Sequence, residues 1–163
     1  MAYPKGDKLE TVIQKSVELG ASRIIPFESS RCIKRPKAEK QEKQTARLQR
    51  IAEEAAKQCG RSRLPEVTPP VSFREMLNVA KKADLALFCY ENEKATTVKE
   101  ALKSSTKPQS IAVIVGSEGG FSPEEAISAE ESGVRSVTLG KRILRCETAP
   151  DYALTAISYE YEL

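Results

Sequence analysis

The sequence predicts an α/β sandwich built around a mainly parallel sheet. Helical and extended patterns alternate along all 163 residues, the extended segments are apolar without polar alternation, and capping or glycine signals mark most of the changes. A chain of this length suits one domain, taken here as residues 1–163.

The elements follow in order. Asp7 with Glu10 makes a D-x-x-E helix start, and Leu9, Val12, Ile13 and Val17 keep helical spacing until Gly20. RIIPF (23–27) reads as a buried strand. Residues 38–59 form a long helix whose apolar stripe is Leu48, Ile51, Ala52, Ala55 and Cys59, ending at Gly60. A proline-punctuated connection through VTPPVSF leads to Ser72 and Glu75, a capping box for a helix reaching Lys82. DLALFCY (84–90) is a strand, 95–104 a short helix and SIAVIV (110–115) a strand. Ser122, Pro123 and Glu125 start the next helix, and Gly133 ends it. RSVTL (135–139) is a strand, and a last helix runs from about Pro150 to Tyr161.

Composition narrows the chemistry. Histidine is absent, which argues against a resident metal site and against a Ser/His nucleophile. The four cysteines, Cys32, Cys59, Cys89 and Cys146, form no CxxC pair and read as reduced core residues. No membrane span or signal-peptide pattern is present, which places the chain in the cytoplasm. The net charge of +3 is uneven. Between Lys34 and Arg63, ten Lys/Arg stand against four Glu, a local excess of +6. Such a block suits a polyanion partner, although a solvated basic helix face would look the same.

In parallel sheets ligands bind beyond the carboxyl ends of the strands, so the loops after Tyr90, Val115 and Leu139 matter most. The second, VGSEGGFSPEE, is glycine-rich but is not a P-loop, since no GK[ST] follows, nor G-x-G-x-x-G, since its glycines fall at 116, 119 and 120. Glu118 at its centre would repel a phosphate. A plain strand-to-helix turn, with Glu118 in water, is one reading. The third loop, LGKRILRCETA, sets apolar Ile143 and Leu144 between Arg142 and Arg145. That pair could wall a flat aromatic such as adenine or plug the end of the sheet.

These two loops, with KGDKLETVIQKSVELGASRIIPF, SSRC around Arg31 and RLQRIAEEAAKQCGRSRLP, resemble in order the RsmE family of 16S ribosomal RNA (uracil-N3) methyltransferases, of the SPOUT superfamily. The resemblance implies an S-adenosyl-L-methionine-dependent enzyme of the small ribosomal subunit's RNA, a C-terminal trefoil knot and a homodimer to which apolar residues of the first and last helices contribute. The family places a small β-rich, PUA-like RNA-binding domain before this region, and the chain holds only the catalytic domain. By resemblance Tyr90, Val115, Gly116, Gly119, Gly120, Leu139, Gly140, Ile143, Leu144 and Arg145 hold the cofactor. The three loop glycines then give a sulfonium cofactor close approach to backbone.

Methylation of uridine N3 requires loss of its proton, so arginine donors would stabilise the resulting anion. Arg145, Arg142 and Arg31 are the candidates. Glu118 or Glu147 would accept the proton, provided burial raises its basicity. Lys34, Arg35, Lys37, Arg47 and Arg50 would follow RNA phosphates, while Arg61 and Arg63 could instead fold onto the end of the long helix. Two other readings stand beside this one: ribose 2′-O methylation of RNA, and a non-catalytic RNA-binding module on the same scaffold.

Overall fold

The computed structural model describes residues 1–33 and 38–163. Its first helix, α1 (Lys8–Glu18), buries Leu9, Val12, Ile13 and Val17. Asp7 makes no side-chain cap to it: Glu10 N–H goes to the Asp7 carbonyl at 3.0 Å, and the Glu10 carboxylate, expected to close the box, pairs with Arg47. The chain then forms two short strands, β1 (Arg23–Ile24) and β2 (Phe27–Glu28), where one was expected. Pro26 lies between them and has no N–H to give a ladder.

The long helix α2 (Ala38–Gln58) packs on α1 and buries Leu48, Ala52, Ala55 and Ala56. Cys59, expected to continue its stripe, is exposed. The proline-punctuated connection carries two strands that sequence patterning did not indicate, β3 (Glu66–Val67) and β4 (Val71–Ser72). They pair in parallel with β1 and β2 respectively. α3 (Phe73–Ala80) starts at the Ser72–Glu75 capping box, as expected, and ends two residues before Lys82.

The C-terminal half alternates strand and helix without exception: β5 (Leu85–Cys89), α4 (Val98–Lys103), β6 (Ile111–Val115), α5 (Pro123–Glu131), β7 (Arg135–Val137) and α6 (Thr148–Tyr161). β5 lies between β6 and β7, parallel to both. The register sets Cys89 beside Val115 and also beside Val137. All three strands therefore end on one edge.

The segment Met1–Tyr3, which carries no periodicity, links the two halves of the chain. Ala2 N–H donates to Val115 O at 2.8 Å, Tyr3 N–H to Phe27 O at 2.9 Å, and Phe27 N–H to Met1 O at 3.0 Å. The strands form three separate sheets, and these bonds tie β2 to the end of β6 through a parallel bridge of Ala2 with Phe27.

Successive residues of β5 enter different cores. Ala86 and Phe88, with Ile114, pack among residues of α1, α2, α3 and α5. Leu85, Leu87 and Cys89, with Val115 and Val137, pack against α4 and α6. Burial on both faces explains the unbroken apolar strands. Phe121, at the end of the glycine loop, joins the first core. Its ring lies 4.1 Å from that of Phe88 and stacks parallel to Phe27 at 6.3 Å, centroid to centroid.

No helix among the described residues is long and apolar enough to cross a membrane. Because Phe121 is fully buried and anchors the glycine loop, Phe121→Ala should lower stability by about 3–5 kcal/mol, read from the denaturant midpoint.

Candidate active site

The loops after β5, β6 and β7 enclose a cleft of about 970 Å³ at the carboxyl edge of the sheet. Its walls include Tyr90, Glu91, Val115, Gly116, Ser117, Glu118, Gly119 and Gly120 on one side, and Leu139 to Glu147 on the other. All the residues expected to hold a cofactor line it. Of those expected to act on a substrate, Arg145, Glu118, Glu147 and Arg142 line it as well; Arg31 does not.

The glycine loop is folded chiefly on its neighbours. Gly120 has φ +63, and a Cβ there would land on the Glu91 carboxylate. A Cβ on Gly116 would stand 3.2 Å from the Gly120 backbone and from the Phe121 ring. One on Gly119 would stand 3.0 Å from Arg31. At Gly120 the positive φ itself favours glycine, while at 116 and 119 a side chain would press on the loop's own neighbours, a reason for glycine that stands beside the close ligand approach inferred from sequence. Gly140 differs: nothing lies near its missing Cβ, and its φ of +116 alone calls for glycine.

Two contacts fasten the 28–33 loop to this one. Glu125, buried in the first turn of α5, accepts from Ser30 N–H at 2.7 Å and from Ser122 N–H at 2.9 Å. It closes the capping box read from sequence and spans to a loop 95 residues earlier. Arg31 donates to Gly119 O at 3.2 Å, which places its guanidinium on the loop's backbone.

Ser117 lies in the cleft wall, and its hydroxyl is buried within the protein without a hydrogen-bond partner. Arg142 and Arg145 are exposed at the rim, and no ion pair engages either among the described residues. Ile143 is 85% exposed, while Leu144 packs against the second core. The expected apolar pair is therefore divided, one residue in the wall and one in solvent.

Lys8, of the first turn of α1, went unnoticed in the sequence. Its ammonium lies 3.1 Å from Glu118 and 3.3 Å from Glu147. Glu118 also accepts from Lys5 N–H at 3.1 Å, and Cys146 Sγ donates to Glu147 at 3.2 Å. A proton-acceptor role for either glutamate required raised basicity, and both are held below the usual carboxylate range. For Glu118, burial pulls upward but is outweighed by its own N–H, by Lys8 and by Lys5 N–H. For Glu147, the Cys146 thiol leads, joined by its own N–H and Lys8. Lys8 is correspondingly raised, first by Glu118. No local signal marks Lys8; only its spacing from Lys15, seven residues on, sets two lysines on one helix face.

The expected phosphate contacts separate. Lys34, Arg35 and Lys37 lie outside the described residues. Arg47 pairs with both oxygens of Glu10 at 2.9 Å and keeps 65% of its side chain exposed. Arg50 is exposed. Arg61 donates to Val17 O and Ala21 O at 2.8 and 2.6 Å, closing the end of α1 and not of α2. Among the described residues no cluster of metal-ligating side chains occurs.

A family described as RNA methyltransferase domain matches residues 1–158. The chain is 39% identical to Ribosomal RNA small subunit methyltransferase E of Bacillus subtilis, over 98% of its own length and 64% of that protein's. A crystal structure of Ribosomal RNA small subunit methyltransferase E from Neisseria gonorrhoeae bound to S-adenosyl methionine superposes with a TM-score of 0.82 at 38% identity, covering 96% of this chain and 63% of that one. A methyltransferase of Legionella pneumophila, in complex with the same cofactor, gives 0.87 at 34%, covering 98% and 64%. The chain therefore spans a little under two thirds of the length of these relatives.

The depressed glutamates stabilise the fold above their unfolded value of 4.5, and that contribution is lost as pH falls through their lower folded values. The raised Lys8 keeps its contribution throughout this range, since its ordinary value is 10.5. The stability difference between the protein and Glu118→Gln/Glu147→Gln should be largest near pH 7 and shrink below about 4.5, measured by urea unfolding. A difference independent of pH would remove the electrostatic account.

Proposed function

The chain belongs to the RNA methyltransferase domain family, and we propose that it transfers a methyl group from S-adenosyl-L-methionine to N3 of a uridine in 16S ribosomal RNA. The observation that supports this reading best is the cleft itself, at the carboxyl edge of the sheet, where Tyr90, Gly116, Gly120, Leu139, Leu144 and Arg145 from three successive loops line one space. Val115, Leu139 and Leu144 offer an apolar wall for a flat base, and the carboxylates of Glu91 and Glu93 suit a positively charged ligand. These residues, with Tyr90, Gly116, Gly119, Gly120, Gly140, Ile143 and Arg145, would hold the cofactor. Bound there, it supplies an electrophilic methyl group on a positive sulfonium.

The protein's part is to present N3 as an anion. Loss of the N3 proton leaves a charge shared with the flanking carbonyl oxygens, and guanidinium donors aimed at it favour ionisation. Arg145 and Arg142, exposed at the cleft rim, are assigned this role. Glu118 and Glu147 are turned to Lys8, and in this reading the N3 proton would leave to solvent. Arg31 acts through Gly119, holding the glycine loop. Arg50, together with Lys34, Arg35 and Lys37, would meet RNA phosphates.

Three further parts of the reading have support of their own kind. A trefoil knot accords with the 139–148 segment crossing beside the 90–97 and 116–121 loops, and with α6 returning across β6. A homodimer accords with an apolar groove that includes Ile111, Val113 and Leu154, and with the exposed Tyr152 and Tyr159 of α6. Ile157 and Tyr161 are taken up within the subunit, Tyr161 OH donating to Leu102 O at 2.7 Å. A cytoplasmic setting accords with the ribosomal RNA substrate.

Calorimetry should detect S-adenosylmethionine and S-adenosylhomocysteine binding to the folded chain; no heat with either would sink the enzyme reading. Joined to an N-terminal RNA-binding domain and given small-subunit particles, the enzyme should yield 3-methyluridine, and 2′-O-methyl nucleosides would instead establish the ribose reading. Arg145→Ala should lower kcat about 10²–10³-fold with much less change in cofactor affinity. Equal loss of both would make Arg145 a binding residue only.

A further inference from the structure

We propose that Lys8 is the positioning residue of the cleft, its one ammonium holding the glycine loop and the 139–148 loop together through Glu118 and Glu147. The proposal rests on the methyl-transfer reading and adds to it the part that sets the distance between the two cofactor-binding walls. Lys8 is the only contact from α1 that reaches both walls among the described residues.

The geometry is that of a shared counter-ion. Glu118 comes from the loop after β6 and Glu147 from the residue just before α6, and one nitrogen lies within 3.3 Å of both. The three side chains retain 33, 29 and 26% of their exposure, so the cluster is partly shielded. An isolated ion pair with this exposure would count for little. Here, removing the cation leaves two carboxylates facing each other, one on each wall, and their repulsion drives the cleft open.

The neighbours of the cluster do not replace the cation. Lys5 offers Glu118 its backbone N–H and not its ammonium. Burial first, and then Glu147, push the Cys146 thiol up to about 12, so it remains a neutral donor. Lys15, two turns along α1, is occupied by Asp151 at 3.3 Å, one turn into α6. That second pair joins the two helices themselves. Lys8 acts one turn beyond the helical contact, where the loops begin.

The test compares S-adenosylhomocysteine binding by the protein and by Lys8→Met, Lys8→Gln and Lys8→Arg, using calorimetry. Lys8→Met should weaken binding about tenfold at pH 7.5, within the coupling usual for one charge network. Lys8→Arg should restore most of it. Lowering the pH towards 5 should restore affinity in Lys8→Met and not in the parent, because one of two adjacent carboxylates then protonates. Adding Glu118→Gln and Glu147→Gln to Lys8→Met should restore binding at pH 7.5 with no change of pH. Should Lys8→Met fail to fold, Lys8→Gln carries the same comparison.

Normal affinity in Lys8→Met or Lys8→Gln overturns the proposal. So does a loss that neither low pH nor the paired glutamine substitutions relieve, since that is the behaviour of a merely structural residue. If the parent binds neither S-adenosylmethionine nor S-adenosylhomocysteine, the methyl-transfer reading fails, and this proposal with it.

Discussion

Parallel pairing of β5 with both β6 and β7 is the constraint on which the rest of the molecule depends. Parallel strands of one sheet must all leave from the same edge, so their loops crowd together there. The ladders end at Cys89, Val115 and Val137, and beyond them a backbone bridge of Thr97 with Thr138 joins the loops after β5 and β7. Side chains fasten the others. Glu125 ties the glycine loop to the 28–33 loop, Arg31 reinforces that tie, Phe121 anchors it to the first core, and Lys8 reaches across to the loop before α6.

This division separates two kinds of group that sequence alone had mixed. Glu118, Glu147 and Arg31 looked like reactive residues because they stand in the motifs. In the fold Glu118 and Glu147 contact the Lys8 ammonium, and Arg31 donates to Gly119 O. Arg142 and Arg145 stand exposed at the cleft, and no ion pair engages either among the described residues. A ligand would meet these, while the carboxylates act indirectly through the shape they maintain.

What could be read from sequence was local. The Ser72–Glu75 and Ser122–Glu125 boxes are closed over three residues and formed as read. The Thr97–Glu100 box was equally local but was passed over inside a helix read as 95–104. The D-x-x-E at Asp7 does not close, since Glu10 N–H is taken by the Asp7 carbonyl and its carboxylate by Arg47, 37 positions after Glu10. Strands β3 and β4 were hidden because two residues give no periodicity, and Met1–Tyr3 because its partners lie at Phe27 and Val115. The loops of the cleft were recognisable as motifs. The ammonium between them was not, since a lysine on a helix gives no sign of which acids will come to it.

The link from Ala2 to Val115 also bears on the order of folding. The first three residues supply an extended link between β2 and the end of β6, and one of its two partners, Val115, lies 113 positions after Ala2. During synthesis that link can pair with Phe27 early, but its other side stays open until residue 115 has left the ribosome. Closure over such a separation is slow compared with helix formation, which puts the expected rate towards the millisecond-to-second end of the usual range. For that interval an unpaired edge persists along the link, and the growing chain is most exposed there to wrong pairing.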